Sequence, residues 1–406
     1  MRRTTASLLK KYKIQTLNNI SAKGLGRFPL ERYDVASSLD DPDGLILRSA
    51  NLHEQPIPDS LRAVGRAGAG TNNIPVPAMS AKGVVVFNAP GANANAVKEL
   101  VLTGMLLASR NIIAAWDFVN SLDGDPASMN ERVEAGKKQF KGFELPGRTL
   151  GVVGLGAIGV RVANVAKDLG MKVIGYDPAI TVGNAWQLDA NVDQALTVEE
   201  LLAKSDFVSL HVPLIDATRG LINADRIKLM RDGATLLNFS RAPIVEEAPV
   251  LEALEQGKLH RYVCDFPTPA GKGHRGVFAL PHLGASTQEA EDNCAVMVAD
   301  QLRDYLETGN VRNSVNFPEA ILPLTDGAAR LAVVNRNVPN MVGQISTALA
   351  KRDLNIADLL NKSRGDLAYT LVDVDGDLPV DLLDELSGIN GVLSVRAIEH
   401  KSRYRS

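Results

Sequence analysis

Short apolar runs without inside–outside alternation recur along most of this chain. Gly44-Leu-Ile-Leu-Arg48, Val84-Val-Val-Phe87, Leu150-Gly-Val-Val153, Phe207-Val-Ser-Leu210, Ala234-Thr-Leu-Leu237, Tyr262-Val-Cys264 and Val277-Phe-Ala-Leu280 are of this kind. Such runs are buried on both faces and predict parallel strands of an α/β sheet. Lys13–Leu17 and Lys172–Tyr176 add two more strands. Helical spacing appears between some of them, over Val160–Leu169, Thr197–Lys204 and Asn223–Met230. The longest apolar stretch, Ala94 to Val119, carries Lys98, Glu99 and Arg110. It therefore predicts a buried or domain-linking helix and not a membrane span. From Ser286, with Glu289 three residues on as a capping box, an amphipathic helix runs through Cys294, Val298, Leu302 and Leu306 to Gly309.

Strands and helices already alternate over residues 14–90, so one α/β unit precedes a second that begins near residue 94. Residues 310–328 hold two prolines and little periodicity and read as a linker. Beyond it the order changes. A strand at Arg330–Val334, a helix at Pro339–Lys351, strands at Ile356–Asn361 and Leu367–Val374, a helix at Val380–Ser387 and a strand at Val392–Ile398 make a βαββαβ unit, ferredoxin-like in order. The expected fold is α/β: two Rossmann-like domains followed by this small module. The expected boundaries are 1–93 with 287–318, then 94–286, then 329–406.

The length of 406 residues suits two or three domains with full cores. A net charge of −3 with mixed signs predicts neither a nucleic-acid nor a membrane partner. Cys264 and Cys294 are the only cysteines, both in apolar surroundings, so no disulfide framework and no metal site is expected. The first thirty residues hold seven Lys or Arg and no acid, which superficially suggests a transit peptide. A strand starting at Lys13 leaves too little chain for one, and the expected location is the cytoplasm.

Candidate chemistry begins at Gly154-Leu-Gly-Ala-Ile-Gly159, set between the Leu150 strand and the following helix. The next strand ends on Asp177. Strand, glycine turn, helix, strand and acid, in that order, form a dinucleotide site. Gly154 permits the turn, Gly156 admits a pyrophosphate, and Gly159 lets the helix pack closely on the strand. Ala157 and Ile158 open the helix, whose N-terminus stabilises phosphate charge. Asp177 accepts ribose hydroxyls and repels a ribose phosphate, so NAD is expected over NADP.

Reactive side chains cluster at later strand ends: His211-Val-Pro213, Asn238-Phe-Ser-Arg241 and Pro281-His282-Leu-Gly284. Singly, such an arginine is as easily a surface charge, and such a histidine a satisfied hydrogen-bonding group. In an open α/β sheet, however, successive strand ends converge on one ligand crevice. Oxidation of a 2-hydroxy acid, or the reverse, needs an acid/base at the carbinol oxygen and a cation for the adjacent carboxylate. His282 suits the first task and Arg241 the second.

The leader Leu145-Pro-Gly-Arg-Thr-Leu-Gly151, the glycine turn, His211-Val-Pro213, Asn238 with Arg241, and Pro281-His282 together resemble the D-2-hydroxyacid dehydrogenase family. Arg48-Ser49, Val64-Gly-Arg66-Ala-Gly68 and Asn88-Ala-Pro-Gly91 narrow the resemblance to members acting on a phosphorylated 2-hydroxy acid. It implies NAD-dependent oxidation of 3-phosphoglycerate to 3-phosphohydroxypyruvate, the first step of L-serine synthesis. Arg48 and Arg66 would hold phosphate and carboxylate across a cleft. His211 and Pro213 would line the cofactor site, and Asp265 would anchor the nicotinamide carboxamide or orient His282. The C-terminal module resembles an ACT domain, implying L-serine or a similar effector at Asn337 and Asn355, with Asn335 where a histidine is common. A homodimer or homotetramer, using the Ala94–Val119 stretch, is also implied. One family feature is missing: no acid occurs from Phe266 through Pro281, where a glutamate would orient the catalytic histidine. Two other readings stay open, reduction of another 2-keto acid such as hydroxypyruvate or glyoxylate, and a catalytically weak NAD-sensing regulator.

Overall fold

β-branched and aliphatic residues in short runs, punctuated by glycine, proline and asparagine, give three sheets. The computed structural model describes residues 11–325 and 328–398. Part of the basic N-terminal stretch, two residues of the expected linker and the end of the expected third domain lie outside them. The described residues form two compact units, those of Met1–Asn93 with those of Glu291–Ser406, and Ala94–Ala290.

In the first unit, β1 (Tyr12–Leu17), β2 (Tyr33–Ala36), β3 (Gly44–Leu47), β4 (Ala63–Arg66) and β5 (Val85–Asn88) form a parallel sheet in the order β2-β1-β3-β4-β5. Strand β2 escaped the apolar pattern because Asp34 interrupts it. The helix Gln288–Thr308 packs on this sheet through Val298 and Leu302. It comes so close to β4 that a Cβ at Gly65 would lie 2.9 Å from Leu302 Cδ1. Thr287 Oγ1, not Ser286, caps that helix, accepting the Ala290 N–H at 3.1 Å.

The second unit carries β6 (Thr149–Val153), β7 (Lys172–Tyr176), β8 (Asp193–Gln194), β9 (Phe207–Leu210), β10 (Ala234–Asn238), β11 (Leu259–Cys264) and β12 (Val277–Ala279). They form one parallel sheet, ordered β12-β11-β10-β9-β6-β7-β8 and covered by apolar clusters on both faces. Strand order reverses between β6 and β9, the switch point where such sheets bind ligands. The expected single helix over 94–119 is two, Ala94–Arg110 and Ile112–Asn120. Asn111, at φ 50°, turns the chain between them.

The C-terminal sheet, β13 (Ala328–Arg336), β14 (Ile356–Arg364), β15 (Leu367–Asp375) and β16 (Val392–Ile398), is antiparallel in the order β14-β15-β13-β16. Leu331, Val333, Val372 and Val374 face the helices Met341–Ala350 and Val380–Ser387. The other face adds Ala332, Val334, Tyr369, Leu371 and Ile398 to the core of the first sheet, beside Phe87 and Tyr305. A separate third domain behind a linker is therefore corrected to a module packed within the first unit. Val311, Phe317, Ala320 and Leu322 of the supposed linker are themselves core residues, and Val311 bridges Ala320. Two prolines broke the periodicity there without removing the apolar anchors.

Candidate active site

The glycine turn obeys its steric logic atom by atom. Gly154 sits at φ 92°, where a Cβ would meet His211 O at 2.6 Å. A Cβ at Gly159 would lie 1.9 Å from Gly154 O, so only glycine lets the helix Ala157–Asp168 begin there. Gly156, by contrast, has nothing within 4 Å of its Cβ direction, and no side chain caps the helix that it precedes. Open space in front of uncapped N–H groups at Ala157 and Ile158 fits a pyrophosphate. Asp177, at the end of β7, accepts the Leu155 and Ala179 N–H groups, each at 2.8 Å. Both oxygens keep a lone pair for ribose hydroxyls. These residues fit NAD.

At the end of β9, the His211 ring bonds Ser209 Oγ through Nε2 at 2.8 Å. Desolvation brings its pKa down to about 3, so this histidine is neutral near pH 7 and serves as a fixed hydrogen-bonding wall. Pro213 follows, its carbonyl accepting Thr218 Oγ1 at 2.5 Å. At the end of β10, buried Asn238 folds the chain back on itself, donating to Arg241 O at 3.0 Å and accepting Ser240 N–H at 3.2 Å. That turn delivers an exposed Arg241 whose guanidinium, among the described residues, hydrogen-bonds only its neighbour's carbonyl, Ser240 O at 2.7 Å.

Asp265, ending β11 and 1% exposed, accepts Leu283 N–H at 2.7 Å and Gly284 N–H at 2.9 Å. It orients the His282 loop through the backbone and not through the imidazole. His282 takes φ 56°, and its ring meets Phe266 edge-on, with centroids 5.3 Å apart at 71°. Among the described residues the His282 ring has no hydrogen-bond partner. Where a glutamate would be sought, Thr268 instead donates to Glu247 of the helix Glu247–Glu255. Phe266 was missed in the sequence because nothing about a lone aromatic after Asp265 marks it as a neighbour of His282.

The first unit holds Arg48, just past β3, and Arg66, the last residue of β4. Arg48 pairs with Glu291 at 2.5 Å. The Arg66 guanidinium folds over Gly68, where a Cβ would lie 1.7 Å from Nη1, so glycine there makes its room. Burial pushes the Cys294 thiol up, and both arginines act against that shift. Leu47 pairs with Arg66, so the two arginines stand at the carboxyl ends of adjacent strands.

In the C-terminal module, Asn337 donates to Gly365 O at 3.0 Å and Asn355 to Asp375 Oδ2 at 2.7 Å. Register puts them at opposite ends of the sheet: Arg336 pairs with Leu367, and Ile356 with Val374. Within one chain the two asparagines expected to bind an effector therefore lie apart. Asn335 is fully buried, donating to Arg336 O at 2.7 Å.

Fold and site together define an NAD-dependent oxidoreductase. The chain belongs to the D-isomer specific 2-hydroxyacid dehydrogenase family, whose NAD-binding domain matches residues 102–284. It is 34% identical over 352 residues to D-3-phosphoglycerate dehydrogenase of Haemophilus influenzae, covering 83% of this chain and 81% of that one. For the D-3-phosphoglycerate dehydrogenase of Escherichia coli K12 the identity is 32% over 390 residues, covering 91% and 90%. Among solved structures, NAD+-bound 3-phosphoglycerate dehydrogenase of Entamoeba histolytica superposes with a TM-score of 0.59 at 27% identity, over 76% of this chain and 99% of that one.

Proposed function

We propose that this chain oxidises 3-phosphoglycerate to 3-phosphohydroxypyruvate with NAD, the first step of L-serine synthesis. The observation that carries the reading is the pair Arg48 and Arg66, set at the carboxyl ends of the adjacent strands β3 and β4, where Leu47 pairs with Arg66. Two fixed cations in one neighbourhood suit a phosphate dianion, which a non-phosphorylated 2-hydroxy acid would not offer. Arg241 holds the substrate carboxylate with its free guanidinium edge. His282 takes the hydroxyl proton as C2 is oxidised and returns it in the reverse direction. Asp265 fixes the loop that presents His282, and its remaining lone pairs anchor the nicotinamide carboxamide. Bound NAD supplies the hydride acceptor.

Steady-state NADH formation with 3-phosphoglycerate tests this reading. Turnover with NAD, and poor use of NADP because of Asp177, is expected. A preference for hydroxypyruvate or glyoxylate reduction, or NAD binding without turnover, would replace it with one of the other two readings.

The C-terminal module binds L-serine or a similar small amino acid in this proposal. Since Asn337 and Asn355 lie at opposite sheet ends, one ligand reaches both only when two copies contribute. A homodimer or homotetramer fits the exposed Ile112, Ile113, Trp116 and Val119 on the helix Ile112–Asn120. Two free, buried cysteines suit a reducing compartment, and the cytoplasm is the proposed location. No helix among the described residues is long and apolar enough to cross a membrane.

A further inference from the structure

Arg48 is already occupied. Its Nη1 lies 2.5 Å from Oε1 of Glu291, in the first turn of the helix Gln288–Thr308, and the two side chains are 35% and 40% exposed. Among the described residues Glu291 is the only carboxylate paired with Arg48. The adjacent acid, Asp292, is engaged elsewhere, with Ser21 Oγ at 2.5 Å and Lys23 Nζ at 2.7 Å. Arg66 ends the neighbouring strand, where it pairs with Leu47, the residue before Arg48. The first turn of this helix therefore gives Arg48 an internal carboxylate partner that an incoming anion has to replace.

We propose that Glu291 is an internal counter-ion that competes with the substrate for Arg48, and so sets how much charge the substrate must bring. The inference rests on the reading of Arg48 as a phosphate ligand. Paired with Glu291, Arg48 presents no net charge to an incoming anion. A phosphate dianion brings about two negative charges, enough to displace Glu291 and still leave it facing excess negative charge. A monoanion exchanged for Glu291 gains nothing in charge. The pair is partly exposed, so displacement costs little, and Glu291 tunes affinity without blocking the site. Loss of a structural contact would weaken substrate binding. Loss of a competitor strengthens it, so the sign of the effect separates the two.

The test compares the native chain with Glu291→Gln and with Arg48→Ala. KM for 3-phosphoglycerate and the inhibition constant of inorganic phosphate are measured, with thermal melts confirming that each variant is folded. Glu291→Gln is expected to lower both constants about two- to fivefold, the range of a partly exposed ion pair. An unchanged or raised KM in Glu291→Gln overturns the proposal. Arg48→Ala is expected to raise KM for 3-phosphoglycerate at least about tenfold, as loss of a charged ligand does. If Arg48→Ala leaves KM where it was, the phosphate role of Arg48 fails first and the Glu291 proposal falls with it. A raised KM in Arg48→Ala with no gain in Glu291→Gln sinks the counter-ion alone.

Discussion

At position 282 the backbone takes φ 56°, a left-handed conformation that a side chain with a β-carbon adopts at some cost. Asp265 holds it there by accepting Leu283 N–H and Gly284 N–H, while the ring packs against Phe266 in a T-shaped contact. Backbone capture and an aromatic contact thus hold this loop without any carboxylate bonded to the imidazole among the described residues. His282→Ala is expected to lower kcat by about 10²–10⁴, with little change in NAD affinity. Phe266→Leu is expected to lower kcat about tenfold while leaving the NAD dissociation constant in place, and Phe266→Tyr to restore it. Equal kcat for Leu and Phe at 266 would show that the ring contact places nothing. His211 gives a stability prediction of its own. Its folded pKa, about 3, lies below the ordinary 6.5, so the unfolded chain binds the extra proton. Stability from this group is full above pH 6.5 and is lost as pH falls through 6.5 towards 3, with a slope of up to about 1.4 kcal/mol per unit. Urea melts at pH 7 and pH 5 should show a smaller pH difference in His211→Asn than in the native chain.

Among the elements, β13 does two jobs with one residue. Arg330, 1% exposed, forms a bidentate pair with equally buried Asp373 on β15, at 2.5 and 2.7 Å. Its remaining donors reach Thr308 O at 3.0 Å, Leu322 O at 2.8 Å and Pro323 O at 2.8 Å. Tyr369 of β15 donates to Gly309 O at 2.6 Å, and Arg396 of β16 lies 4.2 Å over the Tyr305 ring while donating to Tyr305 O at 3.0 Å. Three strands therefore donate to carbonyls around the end of the helix Gln288–Thr308, among them Tyr305 O, which also accepts the Gly309 N–H. Arg330→Ala strands a buried Asp373 charge together with those carbonyls, and a loss of about 3–5 kcal/mol is expected in denaturant unfolding. Arg330→Met combined with Asp373→Leu should recover much of it, because no unpaired charge is left.

For the molecule as a whole, the C-terminal module is part of the first unit's core, so its removal and its regulation are different experiments. A chain truncated after Leu324 uncovers Phe87 and Tyr305 along with the ends of that helix. It is expected to melt several degrees lower than the full chain and to aggregate. Calorimetry with L-serine therefore belongs on the full chain, with Asn337→Ala and Asn355→Ala as the paired variants. Binding that both variants abolish, from a particle whose light-scattering mass is a multiple of 43.5 kDa, is the expected result. Binding by a 43.5 kDa particle would refute a two-copy site.

Local physics was legible in the residues themselves. Buried parallel strands need uninterrupted apolar runs, and the turn at Gly154–Gly159 needs glycine where a Cβ would strike backbone, so fold class and the glycine turn could be read directly. The acid after β7 and the strand-end positions of Arg241 and His282 followed from the same periodicity, and Asp265 from the family resemblance. Contacts distant in sequence left no such trace. Phe266 meets His282, Glu291 meets Arg48, and Arg330 meets carbonyls at 308, 322 and 323, yet each pairing depends on how sheets and helices stack. The fate of residues 310–328 turned on the same point: periodicity reports regular elements, and an irregular segment can bury Phe317 and Leu322 without any. Likewise the opposite placement of Asn337 and Asn355 comes from the antiparallel register of β13, β14 and β15, which only the assembled sheet defines.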